Sequence, residues 1–261
     1  MASKTQRRRE EIVARAAETG LAGVDDLARH FQVTASTIRR DLALLSRSGQ
    51  LARTYGGAMA PGHQAETSLL QREQEGFDAK SAIARWAADQ VQPEESILLD
   101  AGSTVALLAR RLPALEGVTV TTASLPVMNM LHSRKDLNLV SLGGRLRELS
   151  DAFVGPLTEQ SLERLTFDRL FLGTDGVSTD GSICEAELAQ TRLKELMARR
   201  SRHIYVLAHS TKLGRAPFHS WARLDRPWTL VTDEGADPQF LSELRATGHE
   251  VVTTSTAAPD R

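Results

Sequence analysis

The sequence predicts an α/β protein in two parts, a small basic helical head followed by a larger body of alternating strands and helices. Three observations predict it. Residues 1–60 carry ten Lys and Arg against six Asp and Glu, a net of +4, while the remaining residues carry 22 against 27, a net of −5. Apolar residues at helical spacing, punctuated by Gly and Thr, fill the first part. From residue 79 onward, short apolar runs alternate with amphipathic stretches, the pattern of βα units.

Composition sets the frame. Of 261 residues, 41% are hydrophobic and 25% charged, values of a folded globular chain. No run approaches the ~20 apolar residues of a membrane span, and the Lys4–Glu11 stretch has no apolar core behind it, unlike a secretory leader. The expectation is a soluble, cytoplasmic protein with no membrane partner. Cys184 is the one cysteine, which excludes an intrachain disulfide and a cysteine-based zinc site. The seven histidines show no metal-ligand spacing, so neither metal nor cofactor is expected.

In the head, Ile12 and Ala16, with Val13 beside them, mark a helix over 5–18 that Gly20 stops. A second helix is expected over 24–31, with Leu27 and Phe31 four apart, and Gln32-Val33-Thr34 makes a turn. A third runs over 35–48, capped by Thr34, with Ile38, Leu42 and Leu45 facing inward. That leaves Ser36, Thr37, Arg39 and Arg40 on the outer face near the helix start, where a recognition helix reads base edges. Residues 50–58 suggest a hairpin wing, with Arg53 suited to a minor groove and Gly56-Gly57 permitting close backbone approach. The alternative is a solvated basic face; for Arg7–Arg9, phosphate contact and plain solvation stand level.

Thr37-Ile38-Arg39-Arg40-Asp41-Leu42, then Leu45, Gly49, Leu51 and Arg53-Thr54-Tyr55-Gly56-Gly57-Ala58, resemble the DNA-binding signature of the DeoR family of bacterial transcriptional regulators. Tyr55 stands where that family more often has His.

A turn-rich stretch around 60–66 is read as a linker. The expected organisation is a winged helix-turn-helix over 1–58, a linker over 59–75, an α/β domain over 76–256 and a tail over 257–261. In the body, strands are expected at 96–100, 118–122, 137–142, 169–172, 204–208, 229–232 and 250–253. Helices are expected at 79–91, 104–112, 126–131, 157–164, 186–200 and 238–246. Ligands of such folds bind at the carboxyl ends of the strands. The polar residues collect there. Asp100-Ala101-Gly102-Ser103-Thr104 offers N–H groups, a helix start and two hydroxyls to an anion, with Asp100 suited to a sugar hydroxyl. Ser124 follows the second strand; Gly143, Gly144 and Arg145 follow the third, with Ser150 behind them; Asp175 and Glu185 follow the fourth; His209 and Lys212 follow the fifth. Arg145, Lys194 and Lys212 are the cations available to a phosphate, Lys212 foremost. The ordinary alternative for each is a solvated charge or a turn residue.

The resemblance to the DeoR family extends over these motifs: Asp100 to Thr104, Leu142-Gly143-Gly144, Phe171 to Gly176, Lys194, and Val206 to Lys212. It implies a sensor domain similar in fold to ribose-5-phosphate isomerase that binds a phosphorylated sugar. His209 stands where Asp is usual and Ala123 where Asn is usual; a charged His209 would favour a more anionic ligand. The resemblance implies a repressor of a carbohydrate operon that binds a double-stranded DNA operator as a homodimer or homotetramer and is released by a small phosphorylated sugar. Two other readings remain. An isomerase-like enzyme is disfavoured because only Asp175 stands where such enzymes carry an acidic pair. A DNA-binding protein without a ligand is disfavoured by the polar strand-end loops.

Overall fold

A computed structural model of the chain describes residues 4–19, 22–47, 52–54, 57–59 and 69–256. The chain divides into two units, residues 1–68 and 69–261.

The first unit contains α1 (Lys4–Thr19), β1 (Ala22–Gly23), α2 (Val24–Phe31), α3 (Ala35–Arg47), β2 (Ala52–Thr54) and β3 (Gly57–Met59). Ile12, Val24, Leu27, Ile38, Leu42 and Leu45 form its core, so the inward faces of all three helices match the periodicity of the sequence. Gln32 turns the chain from α2 to α3 at φ 52°, the left-handed conformation that ends many helices. The Val33 N–H donates to the Ala28 carbonyl there. Thr34 Oγ1 accepts from the Thr37 N–H at 3.3 Å, the expected cap. The strands form an antiparallel sheet in the order β1-β3-β2.

The second unit opens with α4 (Leu69–Gln74) and α5 (Phe77–Ala88). Helix α4 occupies part of the stretch read as a linker. Then follow β4 (Ser96–Leu99), α6 (Ser103–Arg111), β5 (Thr119–Thr122), α7 (Leu125–Leu131), β6 (Asn138–Ser141), β7 (Arg145–Arg147), β8 (Ala152–Val154), α8 (Pro156–Leu162) and β9 (Phe167–Leu172). The chain ends with β10 (Gly176–Val177), β11 (Ile183–Glu185), α9 (Leu188–Arg199), β12 (Ser201–Leu207), β13 (Ser220–Ala222), β14 (Thr229–Asp233), α10 (Pro238–Ala246) and β15 (Glu250–Thr254).

Seven strands form one parallel sheet in the order β15-β14-β12-β9-β4-β5-β6. Alternating side chains supply two cores, as a sheet covered on both faces requires. Ile97, Leu99, Phe171 and Leu207 pack with α5, α6 and α7; Leu98, Leu170, Leu172 and Val206 pack with α8, α9 and α10. The strand order reverses between β4 and β9: the chain moves outward through β5 and β6, then returns beside β4. Ligand clefts of open α/β sheets form at such a reversal.

Two small elements escaped the periodicity. An antiparallel ribbon joins β7 to β8, and β10-β11-β13 form a separate three-stranded sheet. Arg145, expected in a strand-end loop, begins β7 instead. Strands of two or three residues are too short for a period to register.

Candidate functional site

On α3, Ser36, Arg39 and Arg40 are exposed and Thr37 is half-buried beside them, so the outer face carries the expected residues. The hydroxyls of Ser36 and Thr37 lie 2.8 and 2.9 Å from Thr34 Oγ1, clustering polar groups at the helix start. Asp41, on the same helix, is buried. It takes Arg8 Nε on one oxygen and Arg9 Nε on the other, each at 2.7 Å. Two of the three basic residues at 7–9 therefore brace α1 against α3, and Arg7 stands exposed. Neither sequence alternative included this role, because the partner lies more than thirty residues away. In the wing, Arg53 pairs with Ala58 and Gly57 with Thr54 across β2 and β3. The Arg53 side chain and Gly56 lie outside the described residues.

The second unit has a pocket at the carboxyl ends of β4 and β9. Gly102 precedes α6 at φ 141°, a conformation side chains rarely adopt. No side chain caps the helix, and Gly102, Ser103 and Thr104 line the pocket, so the N–H groups of the first turn open onto it. The loop after β9 approaches closely: a Cβ on Gly173 would meet the Ala101 carbonyl at 3.0 Å.

Lys194 reaches the pocket from α9. Its ammonium donates to the Gly173 carbonyl at 2.7 Å and to Glu185, and lies 3.1 Å from Asp100 Oδ2. Three acceptors match its three N–H bonds. Burial opposes the charge, but Asp100 and Glu185 raise the Lys194 pKa and keep it an ammonium. Burial raises the Glu185 pKa, while Lys194, donating to the carboxylate, pulls it down. Asp100 also accepts from the Gly173 N–H at 3.2 Å.

Lys212 is placed differently. It follows β12 in a short 3₁₀ turn and donates to the Thr174 carbonyl at 2.5 Å. One bond leaves donor capacity for a ligand. Burial lowers its pKa, with Asp175 opposing; an arriving anion favours the ammonium. Arg72, from α4, lies 3.2 Å from Asp175 and also donates to the Leu149 carbonyl at 3.3 Å. Lys80 of α5 donates to the Arg72 carbonyl. Two further lining residues are Ser150, between β7 and β8, and Gln190, in the first turn of α9.

The fold thus brings together Gly102, Ser103, Thr104, Asp175, Glu185 and Lys212 of the expected set, with Asp100 behind Lys194. Ser124, Gly143, Gly144, Arg145 and His209 do not line this pocket. Ser124 caps α7 by accepting from the Val127 N–H. Gly143 and Gly144 turn the chain against α8; a Cβ on Gly144 would fall 2.1 Å from Thr158 Oγ1. Arg145 is exposed. The surroundings of His209 run against the expectation of a charged ring: burial lowers its pKa, against Asp233, and Lys80 and Lys212 lower it further. Its ring packs over Gly76. Among the described residues no cluster of His, Cys, Asp and Glu is placed to hold a metal, and no helix is long and apolar enough to cross a membrane.

Comparison with known proteins bears on both units. Residues 8–64 match the DeoR-like helix-turn-helix domain, and residues 75–234 match the DeoR C-terminal sensor domain. The chain belongs to the DeoR family of transcriptional regulators. Among relatives of this DeoR-family protein, a putative aga operon transcriptional repressor of Escherichia coli O157:H7 is 32% identical over 95% of this chain and 93% of its own length. The glycerol-3-phosphate regulon repressor of Escherichia coli K12 is 29% identical over 88% and 91%. Among solved structures, ribose-5-phosphate isomerase A from Methanocaldococcus jannaschii is similar over 53% of this chain and 55% of its own, at 20% identity and a TM-score of 0.40.

The residues missed by sequence reasoning are Arg72 and Gln190 in the pocket and the Arg8–Arg9–Asp41 brace in the head. Arg72 stood in a stretch read as a linker. Ser150 stood beside a marked loop, but Gln190 lies within an amphipathic helix and bears no local mark.

Proposed function

We propose that this DeoR-family protein represses a carbohydrate-use operon in the cytoplasm, and that a phosphorylated sugar in the second-unit pocket releases it from its operator. The pocket carries this reading. The uncapped start of α6 presents N–H groups and the hydroxyls of Ser103 and Thr104, and Lys212 supplies a cation with donors to spare. That is a site for the phosphate of an ester, in a cleft whose other walls are polar. The relatives named as repressors of an aga operon and of a glycerol-3-phosphate regulon agree with a sugar-derived ligand.

Residues 1–58 are the operator-reading domain and 76–256 the sensor in this proposal. Ser36, Thr37, Arg39 and Arg40 meet bases and phosphates in the major groove, and Arg53, Gly56 and Gly57 form the wing. A palindromic operator needs two heads, so the working form is a homodimer or homotetramer. Linkage then requires that ligand lower DNA affinity by the factor by which DNA lowers ligand affinity.

The test is fluorescence anisotropy of the full chain on the duplex upstream of its own gene, with phosphorylated sugars and their unphosphorylated parents added in turn. Release by a phosphorylated compound and not by its parent is the expected result. Specific binding that no compound alters would overturn the effector reading, and absence of specific binding would overturn the operator assignment.

A further inference from the structure

Two polar side chains in the pocket lack partners. Among the described residues, Gln190 Oε1 and Ser150 Oγ are buried without a hydrogen-bond partner, in residues 8% and 3% exposed, and both residues line the pocket. A buried polar atom without a partner is disfavoured, and a ligand that satisfies it binds more tightly for that reason. We infer that Gln190 and Ser150 are the residues that read the hydroxyl groups of the effector and so set which phosphate ester is preferred; this inference rests on the pocket being the effector site.

The carboxylates that line or back the pocket are spoken for. Lys194 holds Asp100 and Glu185, and Arg72 holds Asp175. Asp100, which sequence suggests for a sugar hydroxyl, is therefore engaged with a cation, as are Asp175 and Glu185, and away from the start of α6 and Lys212 the amide of Gln190 and the hydroxyl of Ser150 remain. The amide of Gln190 offers an acceptor and two donors, and Ser150 one donor and two acceptors. A ligand hydroxyl, itself donor and acceptor, suits both. A phosphate oxygen, which only accepts when ionised, leaves Oε1 unsatisfied.

The two residues come from separate elements that an ion pair joins. Ser150 lies in the turn of the β7–β8 ribbon and Gln190 at the start of α9. Arg147 Nε of the ribbon lies 2.9 Å from Glu187 Oε1, the residue before α9. The pair keeps both side chains at one wall of the pocket. Sites built to bond a hydroxyl discriminate strongly against analogues without it, because their own groups are then stranded.

The test is calorimetric titration of the full chain with inorganic phosphate and with a panel of three- to six-carbon sugar and polyol phosphates. At least one ester is expected to bind wild type ten or more times as tightly as inorganic phosphate. In Gln190→Met, which preserves length and removes both polar atoms, that margin falls by about tenfold while inorganic phosphate binds as before. Ser150→Ala is expected to reduce it by a few-fold. Unchanged inorganic-phosphate binding also shows that the variants fold. A margin unchanged in both variants, or equal loss of ester and phosphate, would overturn the inference. Phosphate binding to wild type with no margin for any ester would overturn it and leave the anion site standing. No binding of either probe would overturn the effector reading as well.

Discussion

The head and the sensor each tie distant segments together with a buried charge between two opposite charges, but they enclose it to different degrees. In the head, Asp41 is 3% exposed in its side chain, while its partners Arg8 and Arg9 keep 16% and 29%. In the sensor, Lys194 and its partners Asp100 and Glu185 are all within 4–7%. A charge whose partners reach water can lose one and leave the others solvated. A charge enclosed with its partners cannot. The same kind of contact is thus a brace in one unit and a keystone in the other. Lys212 extends the contrast: it lines the same pocket as Lys194 yet spends a single described hydrogen bond, on Thr174.

The largest effect that can break this comparison comes from Lys194→Met. It strands two carboxylates inside the sensor and is expected to cost about 3–5 kcal/mol in urea unfolding. A loss below ~1 kcal/mol would show that water reaches the triad. Asp41→Asn releases two arginines that already touch solvent, and about 1–3 kcal/mol is expected for the head. Operator affinity should fall with it, because α3 loses its brace to α1; unchanged affinity in gel-shift titration would separate the brace from DNA reading.

A smaller effect is the pH response of Lys80. Burial, then Lys212, lowers its pKa from 10.5 to about 8. Between about pH 8 and 10.5 the folded chain holds Lys80 neutral while the unfolded chain binds the proton. The unfolded state then carries more protons, so this group makes stability rise with pH over that window. Thermal melts of wild type, with Lys80→Met subtracted, are expected to show that rise. A flat or falling difference would place Lys80 in contact with solvent.

The smallest effects on stability belong to the charges assigned to ligands. Arg39→Ala, Arg40→Ala and Lys212→Ala are expected to stay within about 0.5 kcal/mol of wild type. The first two should weaken operator binding and lower its salt slope by about one unit for each phosphate contact removed, with ligand binding intact. Lys212→Ala should do the reverse, abolishing release by ligand while operator binding persists. Loss of both functions in one variant would mean that the residue supports the fold, erasing its contrast with Lys194.

Much of the fold is legible in the sequence where the period is long. Helix α2 lies at 24–31 as read, and α10 at 238–246. Each of the seven strands of the main sheet lies within three residues of its expected bounds. The inner strands carry apolar runs because both faces of the sheet are covered there. The ribbon β7–β8 and the sheet of β10, β11 and β13 were not read, since pairs of three residues leave no period and their stability comes from what they pack against. Part of the pocket was legible through its motifs. Gly102, Ser103 and Thr104 mark themselves by chain order, as a strand end that opens a helix. Gln190 does not, because most of the pocket it lines is brought there from other parts of the chain.

By itself, the sequence determines the two-unit order, the basic outer face of α3, the βα alternation and the glycine- and hydroxyl-bearing loop after β4, all of which depend on neighbours in the chain. Only the tertiary structure decides what each charge does. Arg8 and Arg9 become a brace, Lys194 a buried hub, His209 a ring packed over Gly76, and Lys212 a lysine with donors to spare. The reason is that a charge takes its role from the groups around it and from its distance to water, and chain order encodes neither.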